Sequence, residues 1–155
     1  MSNNTIAVRF AATYALLRVS AAVADHWVQS THQAANKGWH DGDTDAQGHA
    51  HTSAEGRKAC AAHVASYVAT QGLALAVGNK VLGLALKPRH VLAALAVSGV
   101  THYVADRRRP LKCLAGKVGK APFYGLADHG MNGAYALDQS YHHLFETVAA
   151  AIAAR

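Results

Sequence analysis

The sequence predicts an all-α protein, a four-helix bundle whose polar stripes face the interior. Three observations lead there. Apolar residues make up 51% of the chain but aromatics only 7%, and Ala, the best helix former and a poor strand packer, is the most abundant of them. Apolar positions recur at three- and four-residue spacing over four long stretches. Six acidic or imidazole side chains, Asp25, His63, His102, Asp106, Asp138 and His142, fall at helical spacing within those same stretches. At 155 residues the chain fits one domain, residues 1–155, long enough to bury a core.

The first helix is expected from about Thr5 to Asn36, ended by the cation-then-Gly pair Lys37-Gly38. A polar, Gly-punctuated loop follows at about 38–55. Ser53, with Gly56 after it, marks the start of a second helix running to about Leu86, with a break expected near Gly78 or Gly83. Pro88 suits the first turn of a third helix, which runs to about Arg109 before Pro110. A basic connection carrying Lys, Gly and Pro occupies about 110–132. The fourth helix spans about Gly133 to Ala153.

Each helix carries polar residues on one face. Asp25, Gln29, His32 and Asn36 lie at i, i+4, i+7 and i+11; Ser98, His102 and Asp106 are four apart; Tyr135, Asp138 and His142 follow the same rule; His63 has Tyr67 and Thr70 beside it. An ionisable group in an apolar core costs several kcal/mol unless it is paired or bound to a cation. Asp with His is the ligand set of a hard or borderline divalent metal, Zn, Mn or Fe. The six residues would suffice for two ions about 3.5–4 Å apart, an arrangement suited to phosphoester hydrolysis. The alternative is a set of carboxylate–imidazole hydrogen bonds with a purely structural role.

The residues Asp25-His26-Trp27-Val28-Gln29, Lys37, His63, His102-Tyr103-Val104-Ala105-Asp106 and Asp138-Gln139-Ser140-Tyr141-His142 together resemble an uncharacterised bacterial family known as "domain of unknown function 3307". Its members read DxxxQ, a Lys, a lone His, HxxxD and DQxxH in that order, and the resemblance spans about Ala24 to Leu144. It implies that Asp25 rather than His26 is the first core ligand and that Gln29, Gln139 and Lys37 belong to the site. Many relatives look like integral membrane proteins, and some actinobacterial look-alikes carry a "transcriptional regulator" label, although this chain has no helix-turn-helix sequence. It departs from the pattern in being more Ala-rich, more basic and interrupted at 40–53. The family carries no established activity.

The expected function is therefore metal-dependent hydrolysis of a phosphorylated substrate, whether nucleotide, nucleic acid or phospholipid. Asp25, His63, His102, Asp106, Asp138 and His142 would hold metal, Gln29 and Gln139 would orient ligands or substrate, and Lys37, Arg107, Arg108, Arg109 and Lys120 would meet the phosphate. The net charge of +6 and pI near 9.6 suit such a partner. One rival is a DNA-binding or regulatory protein with a structural metal, its Arg107–Arg109 run contacting DNA. The bland reading of that run is a solvated helix end complementing the dipole. Cys60 and Cys113 form no paired motif, which points to a reducing, cytoplasmic setting. Residues 10–24 imitate a signal peptide, but Arg18 interrupts the apolar run. Residues 59–78 carry no formal charge over a spanning length, so membrane association is the alternative location. Asp41, Asp43 and Asp45 alternate like a calcium loop, but Ala46 and Thr52 stand where Gly and Glu would be needed. Residues 40–51, with His40, His49 and His51, therefore read as a flexible solvated loop. Residues 116–120 lack phosphate-loop spacing, and no Gly-x-Ser-x-Gly elbow occurs.

Overall fold

The computed structural model describes residues 3–155, with side chains from residue 5 onward. Helix dominates, at 75%, and among the described residues the only strands are one two-residue pair, so the protein is all-α.

Helix α1 (Asn3–Val23) passes directly into a π turn (Ala24–Val28), closed by the Gln29 N–H donating to the Ala24 carbonyl at 2.9 Å. Gln29 is then extended (ψ 127°), and Ser30 starts a new helix, α2 (Thr31–Asn36), with a reciprocal capping box to Gln33. The single first helix expected to Asn36 is thus two helices, because the wide turn and this capping box divide it. Helix α3 (Ser53–Leu82) is capped by Thr52 with Glu55, one residue before the expected Ser53. It stops at Gly83, whose φ of 61° is the left-handed cap that favours glycine. The expected continuation to Leu86 instead folds back, burying Leu84 and Leu86.

Helix α4 (Pro88–Asp106) carries its proline in the first turn, as expected, but ends three residues early. Arg108 adopts a φ of 58° and redirects the chain into α5 (Arg109–Lys117). The connection at 110–132 is therefore structured: α5, a single turn α6 (Ala121–Tyr124), and an antiparallel pair β1 (Ala127–Asp128) and β2 (Met131–Asn132). Helix α7 (Gly133–Ala153) begins where the Asn132 side chain accepts the Tyr135 N–H. Residues 40–51 form a turned segment, bridged at Thr44 and Ala50.

Helices α1, α3, α4 and α7 form a closed ring: α1 packs on α3, α3 on α4, α4 on α7, and α7 back on α1. Leu17, Leu75, Leu84, Leu86, Ala94, Ala149, Ala150 and Ala153 fill the half of the ring nearer the chain termini with apolar side chains. Gly78 allows α3 to close on Leu16 of α1, since a Cβ there would overlap the leucine. The other half of the ring is filled by polar groups. His63, Tyr67, Gln71, Ser98, His102, Asp106, His142 and Glu146 are all buried.

The exterior reverses the usual pattern. Val8 and Val19 on α1, Leu73, Val77 and Val81 on α3, Leu92, Val100 and Val104 on α4, and Leu144 and Val148 on α7 are all exposed. No Asp, Glu, Lys or Arg is exposed between 5 and 23, between 59 and 79, or between 90 and 106. The segments Thr5–Val28 and Ser53–Leu82 are long and apolar enough, by length and composition, to cross a membrane.

Candidate metal centre

The sequence places a His or Asp one helical turn from its partner on α4 and again on α7, and the ring turns these faces toward one another. Asp25 comes from the π turn, which aims it inward while its neighbour Trp27 is 85% exposed. His63 comes from α3, His102 and Asp106 from α4, and Asp138 and His142 from α7. All six residues expected to bind metal belong to one contiguous cluster.

Its inner part is two triangles of donor atoms sharing an edge. The Nε2 atoms of His63 and His102 face each other at 3.0 Å. Asp25 Oδ1 lies 3.2 and 3.4 Å from them, and Asp106 Oδ2 lies 3.4 and 3.1 Å away. The three donor atoms of either triangle lie close enough together that all could reach one cation at the roughly 2.0–2.2 Å zinc takes to nitrogen and carboxylate oxygen. Despite their closeness to the imidazoles, Asp25 Oδ1 and Asp106 Oδ2 are buried and accept no hydrogen bond of acceptable geometry. Buried carboxylate oxygens without a donor are costly. These Asp/His groups could hold a metal ion.

The surroundings fix the donors. The His102 ring is stacked between Tyr67 and His142, with centroids 3.8 and 4.1 Å away. Because the Nδ1 atoms of His63 and His102 lack hydrogen-bond partners, this stacking, rather than a carboxylate behind the ring, orients His102. His142 Nε2 lies 3.3 Å from Asp138 Oδ2. The ligand atoms of His142, His102 and Asp106 also lie within 4.8 Å of one another, which joins the outer pair to the inner four. The second oxygen of Asp106 is taken by Lys37 Nζ at 2.7 Å. Lys37 therefore acts on the carboxylate and leaves Oδ2 to face the imidazoles.

Asp25 and Asp106 form part of the lining of a cavity of about 490 Å³, whose other walls include Gln29, Lys37, Arg108, Tyr124, Tyr135, Asp138 and Gln139. The Gln29 amide nitrogen is buried without a partner, and Gln139 Nε2 reaches Asp138 at 3.5 Å. Of the four basic residues expected at a phosphate beside Lys37, only Arg108 lines this cavity. Arg107 is buried and donates to the Lys37 and Trp39 carbonyls, both at 2.6 Å, which clamps the segment carrying Lys37. Arg109 pairs with Asp43 at 2.8 Å on the surface. Lys120 is exposed and outside the cavity. The Arg107–Arg109 run is therefore three separate devices rather than one basic patch.

Beneath the centre runs a polar chain that the sequence reading did not assemble. Ser98 donates to Gln71 Oε1 (2.8 Å), Gln71 Nε2 donates to the Tyr67 hydroxyl (3.1 Å), and that hydroxyl donates to Glu146 (3.3 Å). Arg18 closes the chain with two contacts to Glu146, at 2.7 and 2.6 Å. Its signal was present in the spacing: Glu146 follows His142 by four residues and extends the α7 stripe by one turn. No protein-family model, curated protein or solved structure matches this chain.

Proposed function

We propose that this protein is a metal-dependent hydrolase of phosphorylated substrates, built as a four-helix bundle from the closed ring of α1, α3, α4 and α7 and embedded in a membrane. One observation carries the catalytic reading: two buried carboxylate oxygens without hydrogen-bond donors flank two imidazole nitrogens 3.0 Å apart, at the edge of a cavity that also holds Lys37 and Arg108. Asp25, His63, His102 and Asp106 hold the ion, with Asp138 and His142 adjacent for a second. Zn, Mn and Fe all suit this donor set. The bound metal supplies Lewis acidity and a water of lowered pKa. Gln29 and Gln139 orient groups at the cavity wall, Arg108 offers its guanidinium to a phosphate, and Lys37 holds Asp106 in its ligating pose.

The membrane location rests on the inverted distribution of polarity. Buried Gln, Ser, Tyr, His and Glu lie inside the ring, while residues 5–23, 59–79, 90–106 and 133–153 turn apolar side chains outward and expose no Asp, Glu, Lys or Arg; the exposed charges of these helices, Glu55, Arg57, Lys58, Lys80 and Arg89, lie at their ends. Nineteen helical residues, as in 5–23, rise about 28 Å, close to the ~30 Å hydrocarbon thickness of a bilayer. This favours the membrane-associated alternative over a cytoplasmic one.

The test is elemental analysis of the full-length chain purified in detergent, with phosphoester turnover followed before and after chelation and after returning Zn, Mn or Fe. One or two metal equivalents per chain, with activity lost on chelation and restored by one metal, is the expected result. A folded protein that takes up none of the three overturns the reading.

A further inference from the structure

We propose that the substrate of this site is a phosphate-bearing lipid, whose headgroup enters the cavity while its chains stay in the bilayer; this rests on the hydrolase reading above. The cavity wall carries three carboxylates, Asp25, Asp106 and Asp138, beside Lys37 and Arg108, so a phosphate is accommodated only with the cation of the proposed site in place. Gln29, Asn132 and Gln139 supply amides, and Arg108 supplies a guanidinium whose one long hydrogen bond, 3.4 Å to the Ala34 carbonyl, leaves most of its donor fork uncommitted. Lys37 is already spent on Asp106, so Arg108 is the residue that meets the phosphate.

The rim is different in kind. Trp27 is 85% exposed and Val28 44%, and the pair sits in sequence between the cavity-lining residues His26 and Gln29. Met131, also exposed, precedes the cavity-lining Asn132, and the half-exposed Tyr135 is itself part of the wall. Trp and Tyr concentrate where a membrane meets water, their rings amphipathic at headgroup depth. On α1 and α4 the uncharged outer face continues to this end of the ring through Val19, Val23, Val100 and Val104. A volume of about 490 Å³ holds a headgroup but not two acyl chains, so the chains of a bound lipid would lie along that face. In the reaction, a water oxygen bonds to phosphorus as the phosphorus–oxygen bond to the leaving group breaks. One proton of the water ends on the leaving oxygen, so ester and water become alcohol and phosphate.

The experiment uses the full-length chain in detergent micelles with Zn or Mn. It compares dioleoyl phosphatidate and dioleoyl phosphatidylglycerol with their chain-free counterparts, glycerol 3-phosphate and glycerophosphoglycerol. At least one lipid should be cleaved with kcat/KM about 100-fold above its soluble counterpart, since chain contacts add binding energy. Arg108→Gln should lower that value about tenfold. Trp27→Ala should lower it for the lipid with metal content unchanged. Equal kcat/KM for a lipid and its soluble counterpart overturns the lipid inference and leaves the hydrolase reading standing. Metal-loaded protein that cleaves none of the four also overturns the lipid inference, whereas protein that takes up no metal overturns the hydrolase reading beneath it.

Discussion

Two regions of this chain are rich in Asp and His, and they use the same side chains to opposite ends. In the surface segment at 40–51 every carboxylate is already satisfied by the backbone. Asp41 accepts the Ser53 N–H at 2.7 Å, Asp43 the His40 N–H at 2.8 Å, and Asp45 those of Gln47 and His49 at 2.9 and 2.8 Å. These are turn-forming contacts, and they consume the oxygens a metal would need. Inside the ring, Asp25 Oδ1 and Asp106 Oδ2 meet only the imidazole nitrogens of His63 and His102, at 3.1–3.4 Å, and accept no backbone N–H. Composition alone would rank the surface segment as the richer candidate. What distinguishes the interior is carboxylate oxygens left facing imidazole nitrogens at the edge of a cavity, rather than spent on a turn.

The most severe way to break this comparison is at the shared edge of the two triangles. Asp106→Asn or His102→Ala should weaken metal binding by at least about 100-fold, because each removes a direct ligand. Asp45→Asn should leave metal content unchanged. Metal retained by Asp106→Asn but lost from Asp45→Asn would invert the assignment of the two regions.

Ion pairs provide the next contrast. Arg18–Glu146 is held within the ring at 2.6 Å, whereas Arg109–Asp43 lies on the surface with the arginine side chain 58% exposed. Removing one partner of a buried pair strands the other, so Glu146→Ala should destabilise the fold by about 3 kcal/mol. Asp43→Ala, at a screened surface pair, should cost about 0–1 kcal/mol. Thermal unfolding of both variants in the same detergent checks the ordering; equal shifts would mean that the Glu146 network adds nothing to folding.

A subtler effect is expected at Lys37. Its ammonium occupies one oxygen of Asp106 and so directs the other, and Lys37→Met should weaken metal affinity by about 10–100-fold while Lys37→Arg retains part of it. Titration with Zn or Mn measures this directly, and wild-type affinity in Lys37→Met would remove Lys37 from the site.

How much of this was legible beforehand follows from the range of each interaction. The all-α class and the α7 boundaries were readable because helical periodicity and Ala content are local. So was the cluster: His102 and Asp106, or Asp138 and His142, share a face by spacing alone, and the ring needed only to bring those faces together. The division of the first helix was also within reach, since Ser30 and Gln33 spell a capping box, but continuous helical spacing hid it. The fates of the arginines were not legible. Three consecutive residues look equivalent in sequence, and only the left-handed backbone at Arg108 sends one into the core, one to the cavity and one to Asp43. Lys37 as the partner of Asp106 is likewise a long-range contact that no local pattern encodes.

The smallest expected effect concerns the surface segment alone, and its sign follows from the contacts of Asp45. The His49 backbone N–H, aided by the His49 ring and the Gln47 N–H, holds the Asp45 carboxyl down at about 2 from an ordinary 3.8. A carboxylate depressed in the folded state stabilises that state fully above its unfolded pKa and ceases to do so as pH falls through the folded one. The turn at 45–49 should therefore be fully formed above about pH 4 and loosen between about pH 4 and 2. Amide exchange at Gln47 and His49 should accelerate over that window, beyond the intrinsic pH dependence seen in an unstructured peptide of the same sequence. In Asp45→Asn, which cannot ionise, protection at both amides should be lower throughout and flat across the window. An unchanged pH profile in that variant would show that the turn is held by the Thr44–Ala50 bridge instead. The carboxylates of this segment would then be incidental even to its own shape.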